Sequence, residues 1–379
     1  MMKVIKYLNA CITDSPEDTL QELKDELGIR FTHNPEYPEL YVLGYSQIDS
    51  PKAHPIVMEC RSLVVEFVRM GEWKVVSRCF DRFFNLGERG IEQDIEMSEM
   101  TAFEKLDGSV ISLFHHDGYG WLYRTKSMIM PTDAAMESGV LWKDLIEKAF
   151  GDLFMSCFPT YYVGSRPECT FILELTSPEN RIVTKYDDAS ITLLAIRNNE
   201  TGDYMNQASV TMMATKIGWA RPSHTYFDSI GDSKSAADNL PNLEEGFVLY
   251  DRYGCPRAKV KSKSYVSAHY MRGECSPTPR RILRMIEENE VDEFLTIFPE
   301  YTSLIEPHRE AYESARSDTE RLYNELKYVE DPKERASELR GVPVSSFVFK
   351  RLQGISFDES FEHATTNHKL KLLRNYYGK

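Results

Sequence analysis

The stretch Glu104-Lys105-Leu106-Asp107-Gly108-Ser109-Val110 places a lysine two residues before an acid and three before a glycine, among strand-prone residues. A lysine amine becomes a nucleophile once it is deprotonated and held still, and the α-phosphate of a nucleotide is an electrophile it can attack. A surface turn at a strand end would use the same residue types, so the assignment depends on what else the chain supplies. Phe171-Ile172-Leu173-Glu174-Leu175 is an apolar run broken by one carboxylate. A buried acid without a partner is costly, so Glu174 requires a hydroxyl, a cation or the water shell of a metal. Glu244-Glu245-Gly246-Phe247-Val248 sets a second acid before a strand, with Glu244 expected in solvent. Ala258-Lys259-Val260-Lys261-Ser262 puts two lysines at i and i+2, on one face of a strand. Their ammonium groups repel unless an anion such as an α-phosphate sits between them. The alternative is an exposed lysine edge that blocks strand pairing. The pair is also expected to lower the pKa of Lys105 and free its amine.

These residues need strands to hold them. From Leu40 to about Ser267, short runs rich in Val, Ile, Leu, Phe and Tyr alternate with Gly, Pro, Asp and Asn. Antiparallel strands are expected at Ser62–Val68, Trp73–Arg78, Val110–His115, Trp121–Thr125, Thr170–Leu175, Ile191–Arg197, Gly246–Tyr250 and Ala258–Lys261. One helical insert is expected near Val140–Phe150. Ahead of the strands, Ser15-Pro16-Glu17-Asp18 starts a helix that Gly28 can end. Met271–Pro279 reads as a linker, and beyond it the signals are helical, including the N-cap and first-turn proline Asp331-Pro332. The expected fold class is α+β: a domain of antiparallel sheets with helices over residues 1–270, then an all-helical C-terminal domain over 271–379.

Composition narrows the classes. A chain of 379 residues with 42% hydrophobic residues is too long for one core and too apolar for disorder. No apolar run approaches the ~20 residues of a membrane span, so no membrane partner is expected. No secretory leader is expected either. Seven cysteines without paired short spacing suit reduced thiols in a cytoplasm. A net charge of −14 argues against a sequence-blind nucleic-acid coat; any such contact must concentrate Lys and Arg locally.

Further stretches fall in an order that fits one active site: Glu59-Cys60-Arg61-Ser62, Arg78-Cys79-Phe80-Asp81-Arg82-Phe83-Phe84-Asn85, and Ser177-Pro178-Glu179-Asn180-Arg181-Ile182-Val183. With Lys105-x-Asp107-Gly108 they resemble the bacteriophage RNA ligase 1 family of ATP-dependent RNA ligases, in the covalent nucleotidyltransferase superfamily. The likeness is dense from about Tyr45 to His269 and thin after that. It implies a ligase-type nucleotidyltransferase domain that carries AMP on Lys105, with Asp107, Glu174, Glu245, Lys259 and Lys261 in the catalytic set and Lys126 needed for ligation. It implies nucleotide contacts from Tyr45, Arg61, Arg82, Glu104, Gly108, Glu174, Lys259 and Lys261, with Phe84 stacked on adenine and Tyr265 beside the lysine pair. Most members have glycine where this chain has Ser62, and many have lysine where it has Arg82. The cofactors implied are ATP and Mg²⁺, or Mn²⁺ in its place, with Asp107, Glu174 and Glu245 reaching the metal through water and Asp292 a further metal acid. The partners implied are RNA ends, nicked tRNA among them, met by a monomer in a host cytoplasm during RNA repair. The helical domain is expected to choose the RNA, and its basic stretch from Lys350-Arg351 through Lys369, Lys371 and Arg374 reads equally as a grip on phosphates or as a solvated face over buried Leu370, Leu372 and Leu373. Two other readings stand beside this one. A DNA ligase or mRNA capping enzyme would follow the last lysine strand with a β-rich domain, where this chain reads as helix. A catalytically dead RNA-binding module would lack some of the charged set, which is present in full.

Overall fold

A computed structural model describes the chain except residues 1, 12–14, 47–49, 52, 69–70, 89–90, 137, 152–165, 273–276, 288–290 and 378–379. It divides into two compact units, Met1–Val266 and Ser267–Lys379, with the division inside the helix Lys263–Arg272. The expected linker at Met271–Pro279 falls partly on residues 273–276, outside the described residues, and Met271 and Arg272 end that helix.

The first unit is built on thirteen described strands in three sheets. β1 (Ile29–His33), β2 (Leu40–Tyr45), β3 (Arg61–Val68) and β4 (Glu72–Ser77) form one sheet in that order. β7 (Ser109–His116), β8 (Gly120–Arg124), β9 (Cys169–Thr176) and β10 (Ser190–Asn198) form a second, in the order β10-β9-β7-β8. The third takes β5 (Phe84–Asn85), β6 (Thr101–Glu104), β11 (His224–Thr225), β12 (Gly246–Tyr250) and β13 (Pro256–Lys261), in the order β11-β6-β12-β13-β5. Pairing is antiparallel except between β13 and β5, which run parallel.

Alternation along the strands decides which side chains meet the site. On β9, Phe171 and Leu173 point to a core shared with Leu145 and Ile146 of the helix Trp142–Phe150 and Val210 and Ala214 of the helix Gln207–Ile217. Ile172 faces the other way, into a core with Phe103 and Val248 of the third sheet, and Glu174 lies two residues on along that same side. On β13, Ala258 and Val260 pack with Ala237 of the helix Ile230–Asp238, which leaves Lys259 and Lys261 on the opposite face. The first sheet is covered by the helices Lys3–Ala10 and Pro16–Leu27, whose Leu8, Leu20 and Leu23 pack on Leu43, Leu63 and Trp73. Ser15 caps the second of these through the Asp18 N–H, and Gly28 closes it with φ +66°.

Several expectations need amendment. The helices Gln207–Ile217 and Ile230–Asp238 interrupt a region read as strands, because their short apolar runs carry no period that separates a buried helix from a strand. The helix Lys3–Ala10 was not expected. Ser62 is an extra residue in the β2–β3 ladder, where Leu43 pairs with Leu63 and Gly44 with Arg61, and it takes φ +56°. That left-handed bulge is the geometry glycine suits best, so the serine holds it under strain.

The second unit is helical. The long helix Thr302–Leu326 offers Ala311, Ala315 and Leu326 to Phe347 and Val348 of the helix Ser345–Leu352, to Phe357 and Phe361 of Phe357–Glu362, and to Leu372 and Leu373 of Thr366–Arg374. Its basic stretch is partly neutralised from within. Arg351 pairs with Glu320 at 2.7 Å, and the buried Lys369 pairs with Glu287 at 2.5 Å. No helix among the described residues is long and apolar enough to cross a membrane.

Candidate active site

The ends and faces of all three sheets converge on one cavity of about 150 Å³ in the first unit. Lys105 follows β6 directly, and its N–H continues the ladder to the Gly246 carbonyl at 2.8 Å. Its Nζ reaches Glu245 Oε2 at 2.5 Å, while Lys261 Nζ reaches Glu245 Oε1 at 2.8 Å. Glu245 is therefore a buried carboxylate gripped by two ammonium groups. β12 begins one residue later because Gly246 has φ +135° and a Cβ there would lie 1.9 Å from the Val260 carbonyl oxygen. Gly108 is needed for a similar reason. A Cβ on it would lie 2.2 Å from the Leu175 carbonyl oxygen, and its N–H donates to Glu174 Oε1 at 3.1 Å.

The charges around this cavity set its proton affinities. Burial pushes Glu174 up to about 8 against the pull of Lys105, with the charge of Glu245 adding to the rise. Burial would also raise Glu245, but Lys105 and Lys261 outweigh it and hold the carboxyl below its usual range. Burial lowers Lys105, and Glu245, Glu174 and Asp107 more than reverse that, so its amine holds a proton more tightly than an ordinary lysine. The expected depression of Lys105 is thus overturned without a ligand, because three acids face it. The depressed lysine is Lys259, pushed to about 7 by burial and then by Arg61, Lys105 and Lys261.

Glu174 gives a testable pH dependence. Its folded value lies above the unfolded one, so the folded state keeps a proton that the unfolded chain loses. The stability this contributes is complete below about 4.5 and is lost as pH rises through about 8. Glu174→Gln keeps an acceptor for the Gly108 N–H without the charge. Its melting temperature should exceed that of the parent by a margin that widens between about pH 5 and pH 8.5. A margin that stays constant across that range would show that Glu174 is not the group titrating.

Asp107, expected among the metal acids, is bound by the chain itself. Its Oδ2 accepts from the Val183 and Thr184 N–H groups at 2.7 and 2.8 Å, and its Oδ1 from the Tyr265 hydroxyl at 2.6 Å. The Asp107 N–H in turn donates to the Tyr186 hydroxyl at 3.0 Å. Accepting three hydrogen bonds, this buried carboxylate braces the loop that carries Lys105. Tyr265, expected beside the lysine pair, has Lys261 Nζ 5.2 Å from its ring centroid. Asp292 belongs to the helical unit, where it is exposed and pairs with Arg309 at 2.6 Å. Among the described residues no cluster of three or more His, Cys, Asp or Glu could hold a metal ion.

The cavity also sorts the other expected contacts. Arg61 lines it, with its Nη1 buried and lacking a hydrogen-bond partner among the described residues. Glu104 lines it too and accepts from the Ser223 hydroxyl at 3.0 Å. Phe83 lines it as well, with Lys259 Nζ 4.6 Å and the Arg61 guanidinium 5.4 Å from its ring centroid. Phe84 and Arg82 are not brought there. Phe84 pairs in the ladder with Ala258, and Arg82 lies against the rings of Tyr45 and Phe84 at 4.9 and 5.4 Å. Neighbouring residues on an extended chain point to opposite sides, which puts Phe83 and not Phe84 on this cavity. The far end of the cavity is apolar, formed by Phe103, Leu194, Val248 and Tyr250. Arg221 supports it, with its guanidinium 5.0 Å from the Phe103 ring centroid and a bond to the Leu194 carbonyl at 2.8 Å. Phe103, Tyr186 and Arg221 carry no motif that would have marked them in advance.

A second cavity, of about 490 Å³, shares Arg61, Val110 and Lys259 with the first. Tyr45 and Lys126 line this one.

A family model described as RNA ligase, of the T4 RNA ligase 1 type, matches residues 59–267. The chain is 29% identical over 374 residues to a protein named as a bifunctional polynucleotide kinase/RNA ligase of Autographa californica nuclear polyhedrosis virus. That match covers 94% of this chain and 51% of the viral protein, so the chain spans about half of that relative's length. It is 23% identical to an RNA ligase of Rhodothermus phage RM378, over 89% of this chain and 87% of the phage protein. Among solved structures, an archaeal ATP-dependent RNA ligase is 15% identical, with a TM-score of 0.48 over 93% of this chain and 84% of that one.

Proposed function

Because the chain belongs to the RNA ligase family, whose model covers more than half of it, we propose that it is an ATP-dependent RNA ligase that joins a 5′-phosphate end to a 3′-hydroxyl end. The observation that carries this reading is the buried constellation itself: Lys105 on Glu245, beside Glu174 and the Lys259–Lys261 pair, at the mouth of an apolar slot. At about 150 Å³ that slot is smaller than the ~300–1,000 Å³ of pockets that enclose a drug-sized ligand, so it suits a flat base and leaves the phosphates outside it.

Chemically, Lys105 loses its proton to solvent, and the freed amine attacks the α-phosphorus of ATP. A P–N bond forms and the bond to the β-phosphate oxygen breaks, releasing pyrophosphate with the electron pair. A 5′-phosphate oxygen of the RNA then attacks the same phosphorus. The P–N bond breaks, Lys105 regains its pair and a proton, and an RNA-adenylate results. Finally a 3′-hydroxyl attacks the RNA phosphorus, loses its proton and expels AMP. Lys259, Lys261 and Arg61 oppose the charge that gathers on the phosphates. Mg²⁺ or Mn²⁺ suits Glu174 through water together with phosphate oxygens, as hard cations bound mainly by substrate do, and when bound it adds positive charge and weakens the lysine's hold on its proton.

The natural RNA, a nicked tRNA in a repair reaction in a host cytoplasm, follows from the resemblance, as does action as a monomer. The helical unit has the part of choosing the RNA. Incubation with ATP labelled at the α-phosphate should leave label on the denatured chain, and single-stranded RNA should be sealed in preference to nicked DNA. A chain that takes no label is a binding module, and one that prefers nicked DNA is a different nucleotidyltransferase.

A further inference from the structure

The reaction proposed above, on which this inference rests, needs two different groups to approach one phosphorus. In an in-line displacement the attacking and leaving atoms lie on opposite sides of the phosphorus. When Lys105 attacks, pyrophosphate must leave on the side away from Nζ. When Lys105 later leaves, the RNA phosphate must arrive from that same side. One space has to serve both groups in turn.

The second cavity answers this description. It borders the nucleotide slot through Arg61, Val110 and Lys259, Lys105 is not among its lining residues, and it is about three times larger. In a chain of net charge −14 it is lined by Arg61, Lys126 and Lys259 and, among the described residues, by no carboxylate. The hydroxyl residues Ser109, Thr125 and Ser127 also line it. Such groups suit a phosphate. Two aromatics also line the cavity: Tyr45, at the end of β2, and Trp142, the first residue of the helix Trp142–Phe150. The backbone N–H of Trp142 donates to the Ala134 carbonyl at 2.9 Å, and its half-buried indole packs against the core of the second sheet, which holds the ring in place. Pyrophosphate has no use for an indole. A nucleobase does, since every base offers a face to stack on an aromatic ring.

We propose that this cavity receives the 5′-terminal nucleotide of the RNA after pyrophosphate has left, with its phosphate toward Lys259, Arg61 and Lys126 and its base stacked on Trp142. Trp142 thus determines specificity in the second step and has no part in the first.

The test isolates that step. Full-length enzyme–AMP is purified and given a 5′-phosphorylated RNA oligomer whose first nucleotide either carries its base or is abasic, and RNA-adenylate is followed with time. Trp142→Leu should slow transfer to the base-bearing RNA about tenfold, within the range of one base–aromatic stack. Trp142→Phe should restore most of it, and AMP loading on Lys105 should stay within about twofold of the parent. On abasic RNA the parent should fall to the rate of Trp142→Leu, and the variant should lose nothing more. An equal loss on both RNAs would make Trp142 a packing residue and overturn the proposal, as would no loss on either. If Trp142→Leu does not fold, the parent alone decides: equal transfer to abasic and base-bearing RNA overturns it. A parent chain that never takes AMP sinks the ligase reading instead.

Discussion

Lys105→Ala should give a folded protein that neither retains AMP nor joins RNA. The reaction loses the nitrogen assigned to form the P–N bond, so labelling of the denatured chain should fall to background. The fold should survive, because the substitution leaves Glu245 paired with Lys261 at 2.8 Å and Glu174 bonded to the Gly108 N–H. Breaking a buried pair is severe when it strands a charge, and here the remaining lysine prevents that. Lys105→Arg should fail almost as completely, since a guanidinium stays protonated and cannot attack. Circular dichroism and thermal unfolding establish that both variants fold; retained label on either would show that another residue is the nucleophile. The parent enzyme should load AMP faster as pH rises. Glu245, Glu174 and Asp107 outweigh burial and strengthen the hold of Lys105 on its proton, so the reactive free amine grows with pH.

Most of the strand positions were legible because alternating apolar residues between Gly, Asp and Asn signal strands over short windows. β12 falls at Gly246–Tyr250, where it was expected, and the other expected strands differ by one or two residues at their ends. The site was legible where charge contradicts its surroundings. Glu174 inside an apolar strand and Lys259–Lys261 on one strand face both violate what packing alone would choose, and the structure brings them together. What stayed hidden depends on contacts between distant segments. Asp107 reads as one more acid of the motif until the Val183 and Thr184 amides and the Tyr265 hydroxyl converge on it from 76 to 158 residues away. Phe83 and Phe84 are indistinguishable by type, and only the pairing of β5 with β13 decides which of them faces the lysines. The proton affinity of Lys105 was misjudged because the sequence displays neighbouring cations more readily than acids brought in from other strands.

The lysine pair should divide its work in a way that kinetics can resolve. Lys259 and Lys261 share a face of β13, but their partners differ. Lys261 is tied to Glu245, whereas Lys259 lies over the Phe83 ring among other cations and is depressed to about 7. Losing one group that opposes charge in the transition state costs on the order of 10²–10³ in rate at known oxyanion sites, and AMP loading by Lys259→Met or Lys261→Ala should fall by that much. Removing Lys261 also leaves Glu245 wholly to Lys105, so the loading profile of that variant should move to higher pH. Lys259 acts on binding. Near neutral pH a good part of it is uncharged in the free protein, and a phosphate favours the charged form, so the complex should take up a proton. Apparent ATP affinity should then weaken as pH rises through about 7, and Lys259→Met should bind weakly without that dependence. Titration calorimetry in two buffers of different ionisation enthalpy measures the proton uptake directly. Loading within about twofold of the parent in both variants would remove the pair from AMP loading, and ATP binding by the parent without proton uptake would remove Lys259 from the phosphate site.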